Sequence, residues 1–249
     1  MTLHGGRLAA IFNPHSGGGG YLRDVPLIFG ALRGLGYDVE EFETDAPGAA
    51  TRLAREAVGA GFDLICAVGG DGTVNETING LAGDRYFGLM AGVGMDAAVV
   101  ASLNPMMKKA LKEAAFAVQG LANYITHEDP LIRVSCEERT VEGYFAVFGN
   151  SSNYGGAFGI TPLADMRDGL LDVCVLKDKS FVSTVWYWTA ALINAHMKHP
   201  KVEYFRTEAA SVVTVEDGKE VLVQTDGEVA GRLPMECRVV PRALRVIVP

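Results

Sequence analysis

A chain of 249 residues with 49% hydrophobic and 21% charged residues and 30 glycines can bury two modest cores, and is neither disordered nor fibrous. Its formal net charge of −8 and pI near 5.2 leave no broad basic footprint, which argues against nucleic acid as a partner.

Up to about Leu81 the pattern alternates strand and helix. Arg7–Asn13 is a short apolar run that stops at Pro14 and a glycine cluster, and Leu22–Leu35 then carries apolar residues at helical spacing as far as Gly36. Tyr37–Thr44 reads as a second strand and Ala49–Ala60 as an Ala-rich helix. Asp63–Val68 reads as a third strand, fully buried, and Asn75–Leu81 as a helix after Gly69-Gly-Asp-Gly-Thr73. This βαβαβα order predicts a parallel sheet with helices packed on it.

From Tyr86 the period changes. Tyr86–Ala91, Leu131–Cys136, Gly143–Gly149, Leu171–Leu176, Ala210–Val215, Val221–Thr225 and Leu244–Val248 read as strands between Gly, Asp and Pro turns, which predicts a mainly antiparallel β-sandwich. Two helical insertions, Pro105–Tyr124 and Phe181–Met197, interrupt it. The change of period puts a domain boundary at Asp84–Arg85, dividing the chain into residues 1–84 and 85–249.

Cys66, Cys136, Cys174 and Cys237 lie far apart in apolar runs without CxxC spacing, and read as buried, reduced thiols. No run approaches ~20 apolar residues, and the apolar stretch at the N-terminus is too short for a secretory signal, so a cytoplasmic protein is expected.

Two glycine-rich turns follow strands of the first domain, Asn13-Pro-His-Ser-Gly-Gly-Gly-Gly20 and Gly69-Gly-Asp-Gly-Thr-Val-Asn75. Both fall at carboxyl ends of strands, where open α/β sheets bind ligands. Glycine lets the backbone approach a polyphosphate, and the helix that follows adds a favourable positive end. Neither loop is a Walker A, since no GK[ST] occurs; each alone could be a plain turn, and together they favour phosphate. Asp71, expected to be buried among the glycines, either meets a cation such as Mg2+ or caps the helix near Thr73. Asp226-Gly-Glu228 has the signal of a hairpin turn, and Asp168-Gly169 that of a turn before a strand. His196 and His199, at a helix end before Pro200, read as complements to the helix dipole. His15 reads as a solvated loop residue.

Asn13–Gly19 (NPHSGGG) and Val68–Leu81 (VGGDGTVNETINGL) resemble the nucleotide half of the diacylglycerol kinase catalytic-domain family, which includes bacterial lipid kinases and is related to sphingosine and ceramide kinases. Residues 91–100 (AGVGMDAAVV), 147–176 (ending DGLLDVCVL) and 223–234 (VQTDGEVAGRLP) resemble its second-domain signatures in the same order. NAD kinases and phosphofructokinases share a GGDGT-like loop but neither the DGLLDV nor the TDGE stretch.

The resemblance implies an α/β nucleotide-binding domain of the phosphofructokinase and NAD kinase kind, followed by a β-sandwich lipid-substrate domain. It implies ATP and Mg2+ as cofactors, with ATP contacted by Asn13, Pro14, Ser16, Gly17, Thr44, Gly69, Gly70, Asp71, Gly72, Thr73 and Asn75. Glu228 becomes the general base that takes the proton of a lipid hydroxyl, as transfer from a high-pKa alcohol requires. Asp71 and Asp96 join in a network around the catalytic metal, with a helix cap as the plainer reading of Asp96. Asp168, with main-chain carbonyls of Asp165 and Leu170, corresponds to a structural Mg2+ site. The expected activity is transfer of the γ-phosphate of ATP to diacylglycerol or a related long-chain alcohol in phospholipid biosynthesis. The partner is a lipid at a membrane surface and, if the chain assembles, a second copy of itself. The helices 105–124 and 181–197, the latter with Trp186, Tyr187 and Trp188, either pack in the core or touch acyl chains and bilayer.

The chain departs from the pattern at one place. Where the family has a further strand, a Gly-Thr-x-Asn-type loop, a helix and another strand, this chain runs from Asn79-Gly-Leu-Ala-Gly-Asp84 straight into Arg85-Tyr-Phe. That loop is expected to help form the nucleotide site, so a catalytically impaired nucleotide- or lipid-binding member is the alternative reading. A soluble-substrate kinase of the NAD kinase type is a third.

Overall fold

The computed structural model describes residues 5–16, 23–82, 86–95, 97–98, 130–152, 159–191 and 193–243. They fall into two compact units, Met1–Gly88 and Leu89–Pro249.

The first unit runs β1 (Gly6–Phe12), α1 (Val25–Gly34), β2 (Tyr37–Glu43), α2 (Ala49–Gly59), β3 (Leu64–Val68) and α3 (Asp71–Ala82). Its three strands are parallel, in the order β2-β1-β3. β1 is central because Leu8–Ile11 is apolar on both faces: Leu8 and Ala10 pack with Val25 and Phe29 of α1, and Ile11 with Ala50, Leu53 and Ala54 of α2. α2 has no side-chain cap of its own. Glu76 of α3 supplies one, accepting the N–H of Gly48 at 2.9 Å and of Ala50 at 3.0 Å. Helices α2 and α3 meet closely at Gly80, where a Cβ would run into the Thr51 carbonyl.

β3 corrects one expectation. All five of its residues are partly exposed rather than buried, and among the described residues β3 has a strand neighbour on one side, β1. α3 also starts earlier than expected, at Asp71, so the loop proper is only Gly69-Gly70.

The second unit holds two antiparallel sheets, as a β-sandwich requires. One has the order β13-β10-β5-β6, from β5 (Ile132–Ser135), β6 (Thr140–Gly143), β10 (Ala209–Thr214) and β13 (Met235–Arg238). The other has the order β12-β11-β4-β7-β8-β9, from β4 (Met90–Gly94), β7 (Phe145–Gly149), β8 (Leu171–Leu176), β9 (Val202–Thr207), β11 (Leu222–Thr225) and β12 (Glu228–Arg232). β7 and β8 are buried throughout, and α4 (Phe181–Ala191) sets Tyr187 against Phe145 at 5.5 Å between ring centroids.

The strand expected over Gly143–Gly149 begins at Phe145 as β7, and Gly143 instead ends β6, a strand the sequence did not suggest. The chain turns at Tyr144, so that β6 pairs with β5 in one sheet and β7 with β4 and β8 in the other. The expected strand Tyr86–Ala91 begins only at Met90, and the helix expected over Phe181–Met197 ends at Ala191. The expected helix 105–124 and strand 244–248 lie outside the described residues. Of the four cysteines, all free, only Cys174 is fully buried.

Candidate functional site

The two glycine loops come together at the carboxyl ends of adjacent strands. After β1, Asn13 donates its N–H to the Val68 carbonyl at 3.0 Å and accepts the His15 N–H on Oδ1 at 2.9 Å. Ser16 Oγ accepts the N–H of Gly70 at 2.6 Å, which ties the first loop to the second. Pro14 lies in the turn of the first loop, between Asn13 and Ser16, and Thr44, buried at the end of β2, donates its N–H to the Phe12 carbonyl at 2.9 Å. Gly17 lies outside the described residues.

Glycine is required at the second loop for space. A Cβ on Gly69 would run into the Thr73 side chain, and one on Gly70 would reach within 3.0 Å of Ser16 Oγ, whereas Gly72 has nothing within 4 Å. Thr73 and Asn75 point inward and are buried. Asp71 was expected among buried groups, but it is exposed on the first turn of α3, and so bears no desolvation cost. The N–H groups of Asp71, Gly72 and Thr73 open the helix, where no intrahelical carbonyl is in reach of them. Asn79 braces the far end of α3: its Oδ1 accepts the Tyr86 N–H at 2.7 Å and its Nδ2 donates to the Tyr86 carbonyl at 3.0 Å. Asp96 lies outside the described residues.

In the second unit Asp226-Gly227 is the turn between β11 and β12, with φ of 48° and 84°. Gln224, fully buried, accepts the Gly227 N–H at 2.9 Å. Glu228 leaves this braced turn as the first residue of β12, and is exposed. The hairpin and the exposed carboxylate are therefore not rivals; the hairpin is what presents the carboxylate.

Asp168 accepts the Leu170 N–H at 2.9 Å and pairs with Arg206 at 3.5 Å. Asp165 is gripped by Arg167 through two bonds of 2.9 Å, which holds its carboxyl down at about 2, and its main-chain carbonyl accepts the Asp168 N–H at 3.1 Å. Among the described residues no three or more His, Cys, Asp and Glu side chains are grouped to hold a metal. The donors in this turn are all oxygens, which suits Mg2+, and Arg206 competes with any cation for Asp168.

Sequence reasoning passed over Asp172, which is fully buried and accepts the Tyr204 hydroxyl at 2.7 Å. Its carboxyl is raised chiefly by burial. Its place inside the apolar run Leu171–Leu176 was the available signal. His196 also differs from expectation. It begins a short 3-10 helix, His196–Lys198, but is buried in the core, contacts the Ile160 carbonyl at 2.8 Å, and has its pKa lowered by burial. His199 lies 4.4 Å from Trp186, ring to ring.

Residues 7–118 match the model of the diacylglycerol kinase catalytic domain. Residues 89–248 match that of the YegS C-terminal NAD kinase beta sandwich-like domain. The chain belongs to the diacylglycerol kinase catalytic-domain family. It is thus a diacylglycerol kinase-like phosphotransferase, built as an α/β domain followed by an NAD kinase-like β-sandwich.

Relatives called diacylglycerol kinase include those of Staphylococcus haemolyticus strain JCSC1435, 23% identical with 96% of this chain and 87% of the relative covered, and Bacillus subtilis strain 168, 23% identical with 98% and 96% covered. A crystal structure from Bacillus anthracis strain Sterne, called a diacylglycerol kinase, superposes with a TM-score of 0.70 at 20% identity, covering 95% of each chain. Another from the same strain reaches 0.76 at 19% identity, covering 95% of this chain and 93% of the other. At such identity these structures show the shared fold. The alignment with the B. subtilis relative runs to 295 positions against the 249 residues of this chain, so at least 46 positions of that relative face gaps.

Proposed function

We propose that the chain is an ATP-dependent lipid kinase that transfers the γ-phosphate to the hydroxyl of diacylglycerol or a related long-chain alcohol. The observation that supports this reading is the Ser16–Gly70 hydrogen bond, which ties the start of the first glycine-rich loop to the second at the ends of β1 and β3, where a phosphate would be bound. On this reading Asn13, Pro14, Ser16, Gly17, Thr44, Gly69, Gly70, Gly72, Thr73 and Asn75 would contact ATP, and the opening N–H groups of α3 would donate to phosphate oxygens. Magnesium would accompany the nucleotide, with exposed Asp71 and with Asp96 as the carboxylates that would hold it. Magnesium supplies charge neutralisation of the phosphates. Glu228 accepts the proton of the lipid hydroxyl. A second Mg2+ is assigned to Asp168 with the carbonyls of Asp165 and Leu170, in a structural role.

A second reading has a specific observation in its favour. Among the described residues the first sheet has three strands with partly exposed β3 at one side, and longer relatives carry positions this chain lacks. On that reading the chain binds nucleotide or lipid with little turnover. Incubation with ATP, Mg2+ and diacylglycerol in detergent micelles separates the two, the first giving phosphorylated lipid and ADP. Turnover of soluble NAD with no lipid product would support neither.

A further inference from the structure

We infer that the outer face of α4 is a membrane-contact surface for an anionic bilayer, an inference that rests on the lipid-kinase reading for its purpose but not for its evidence. The helix Phe-Val-Ser-Thr-Val-Trp-Tyr-Trp-Thr-Ala-Ala is apolar on nearly all sides, and a helix of that kind is ordinarily buried all round. Here only one side is. Tyr187, Trp188, Ala190 and Ala191 turn inward with Ser183 and Thr184. Phe181, Val182, Val185 and Trp186, spaced as one face of a helix, are exposed, Val182 to 76%. Ile193, just beyond the helix end, is likewise 76% exposed. Large apolar side chains gathered on one surface mark a contact site rather than ordinary surface.

Charge identifies the occupant. From Lys177 to Glu203 the chain contains four lysines against two carboxylates, Asp178, which accepts from Ser180 and Ser183, and Glu203, which pairs with Lys177, within a protein of net charge −8. Lys179 precedes α4, and Lys198 and Lys201 flank His199, whose ring lies 4.4 Å from Trp186; these three lysines are exposed. An apolar face with a Trp at its margin and lysines around it matches an anionic lipid surface, which takes apolar groups below its head groups and cations among them.

The test is co-sedimentation of the whole chain with vesicles of phosphatidylcholine alone and of phosphatidylcholine mixed with phosphatidylglycerol, free of diacylglycerol and nucleotide. Binding is expected to the mixed vesicles and to weaken with salt. The Val182→Asp/Ile193→Asp variant should lose on the order of tenfold or more of the partition coefficient, given the burial such a face undergoes. Its melting temperature should hold, because both positions are exposed. In Trp188→Phe, Trp186 is the one remaining indole, and brominated lipid should quench it. The inference is overturned if the chain ignores both vesicle types, if the double variant binds as well as the parent, or if Trp186 stays unquenched. Loss of self-association in the double variant, with vesicle binding intact, would make the face a contact between copies and also overturn it. None of these readouts needs phosphoryl transfer, so failure of the kinase reading shows separately, as a chain that binds vesicles and yields no phosphorylated lipid.

Discussion

Asp226 and Met90 are bonded in both directions: the Asp226 carboxylate accepts the Met90 N–H at 2.8 Å, and the Asp226 N–H donates to the Met90 carbonyl at 3.0 Å. The same carboxylate oxygen accepts the Leu89 N–H at 3.0 Å. One side chain thus fixes the start of β4 and the turn that presents Glu228. Asp226→Ala removes a charged acceptor from two N–H groups and puts alanine at positive φ, so it should cost about 2–3 kcal/mol of stability. Asp226→Asn keeps an acceptor and tolerates the backbone, so it should cost about 1 kcal/mol. Urea unfolding of both variants measures the difference, and equal losses would count against this account.

Gly69 and Gly72 should behave differently when replaced by alanine. Gly69→Ala drives a methyl into Thr73 and should lower stability by about 1–3 kcal/mol, an overpacking penalty. Gly72→Ala meets no neighbour and should leave the melting temperature nearly unchanged. If Gly72 faces the phosphates, its alanine variant should still weaken ATP binding. Calorimetric titration with ATP beside thermal melts reads both effects.

Arg206 pairs with Asp168 at 3.5 Å, so it would compete with a cation proposed for that turn. Removing the guanidinium in Arg206→Ala should therefore increase the rise in melting temperature that millimolar Mg2+ produces. An Arg206→Ala chain no more responsive to Mg2+ than its parent would argue that no cation occupies this turn.

His196 makes stability depend on pH with a definite sign. Burial lowers its pKa in the folded state, so the unfolded chain takes up a proton first as pH falls. The contribution is whole above the unfolded value of about 6.5 and is lost as pH falls below it. Between pH 7.5 and 5.5 the parent should lose stability faster than His196→Gln, as thermal melts across that range would register.

The first unit was readable from sequence because its signals are local: apolar runs for β1 and β3, helical spacing for α1 and α2, and glycine at their ends. The burial of β3 was misjudged because apolar composition does not reveal whether a strand has one neighbour or two. In the second unit Leu171–Leu176 stood out as an unbroken apolar run. β9, β12 and β13 were missed because charged residues interrupt Val202–Thr207, Glu228–Arg232 and Met235–Arg238. The split at Tyr144 depends on sheet partners far away in sequence. Glu228 and the glycines were legible as motifs. Glu76, Asn79 and Asp226 were not legible as supports, since their roles exist only through backbone groups that folding brings to them.

The central claim is that Glu228 takes the proton from a lipid hydroxyl during transfer from ATP. Its most direct test compares the parent chain with Glu228→Gln in a diacylglycerol micelle assay with ATP and Mg2+, together with ATP binding by titration. The account predicts phosphorylated lipid from the parent, a loss of about 10²-fold or more in kcat for Glu228→Gln, and unchanged ATP affinity. A parent that forms no phosphorylated lipid, or a Glu228→Gln chain that turns over at the parent's rate, would contradict it.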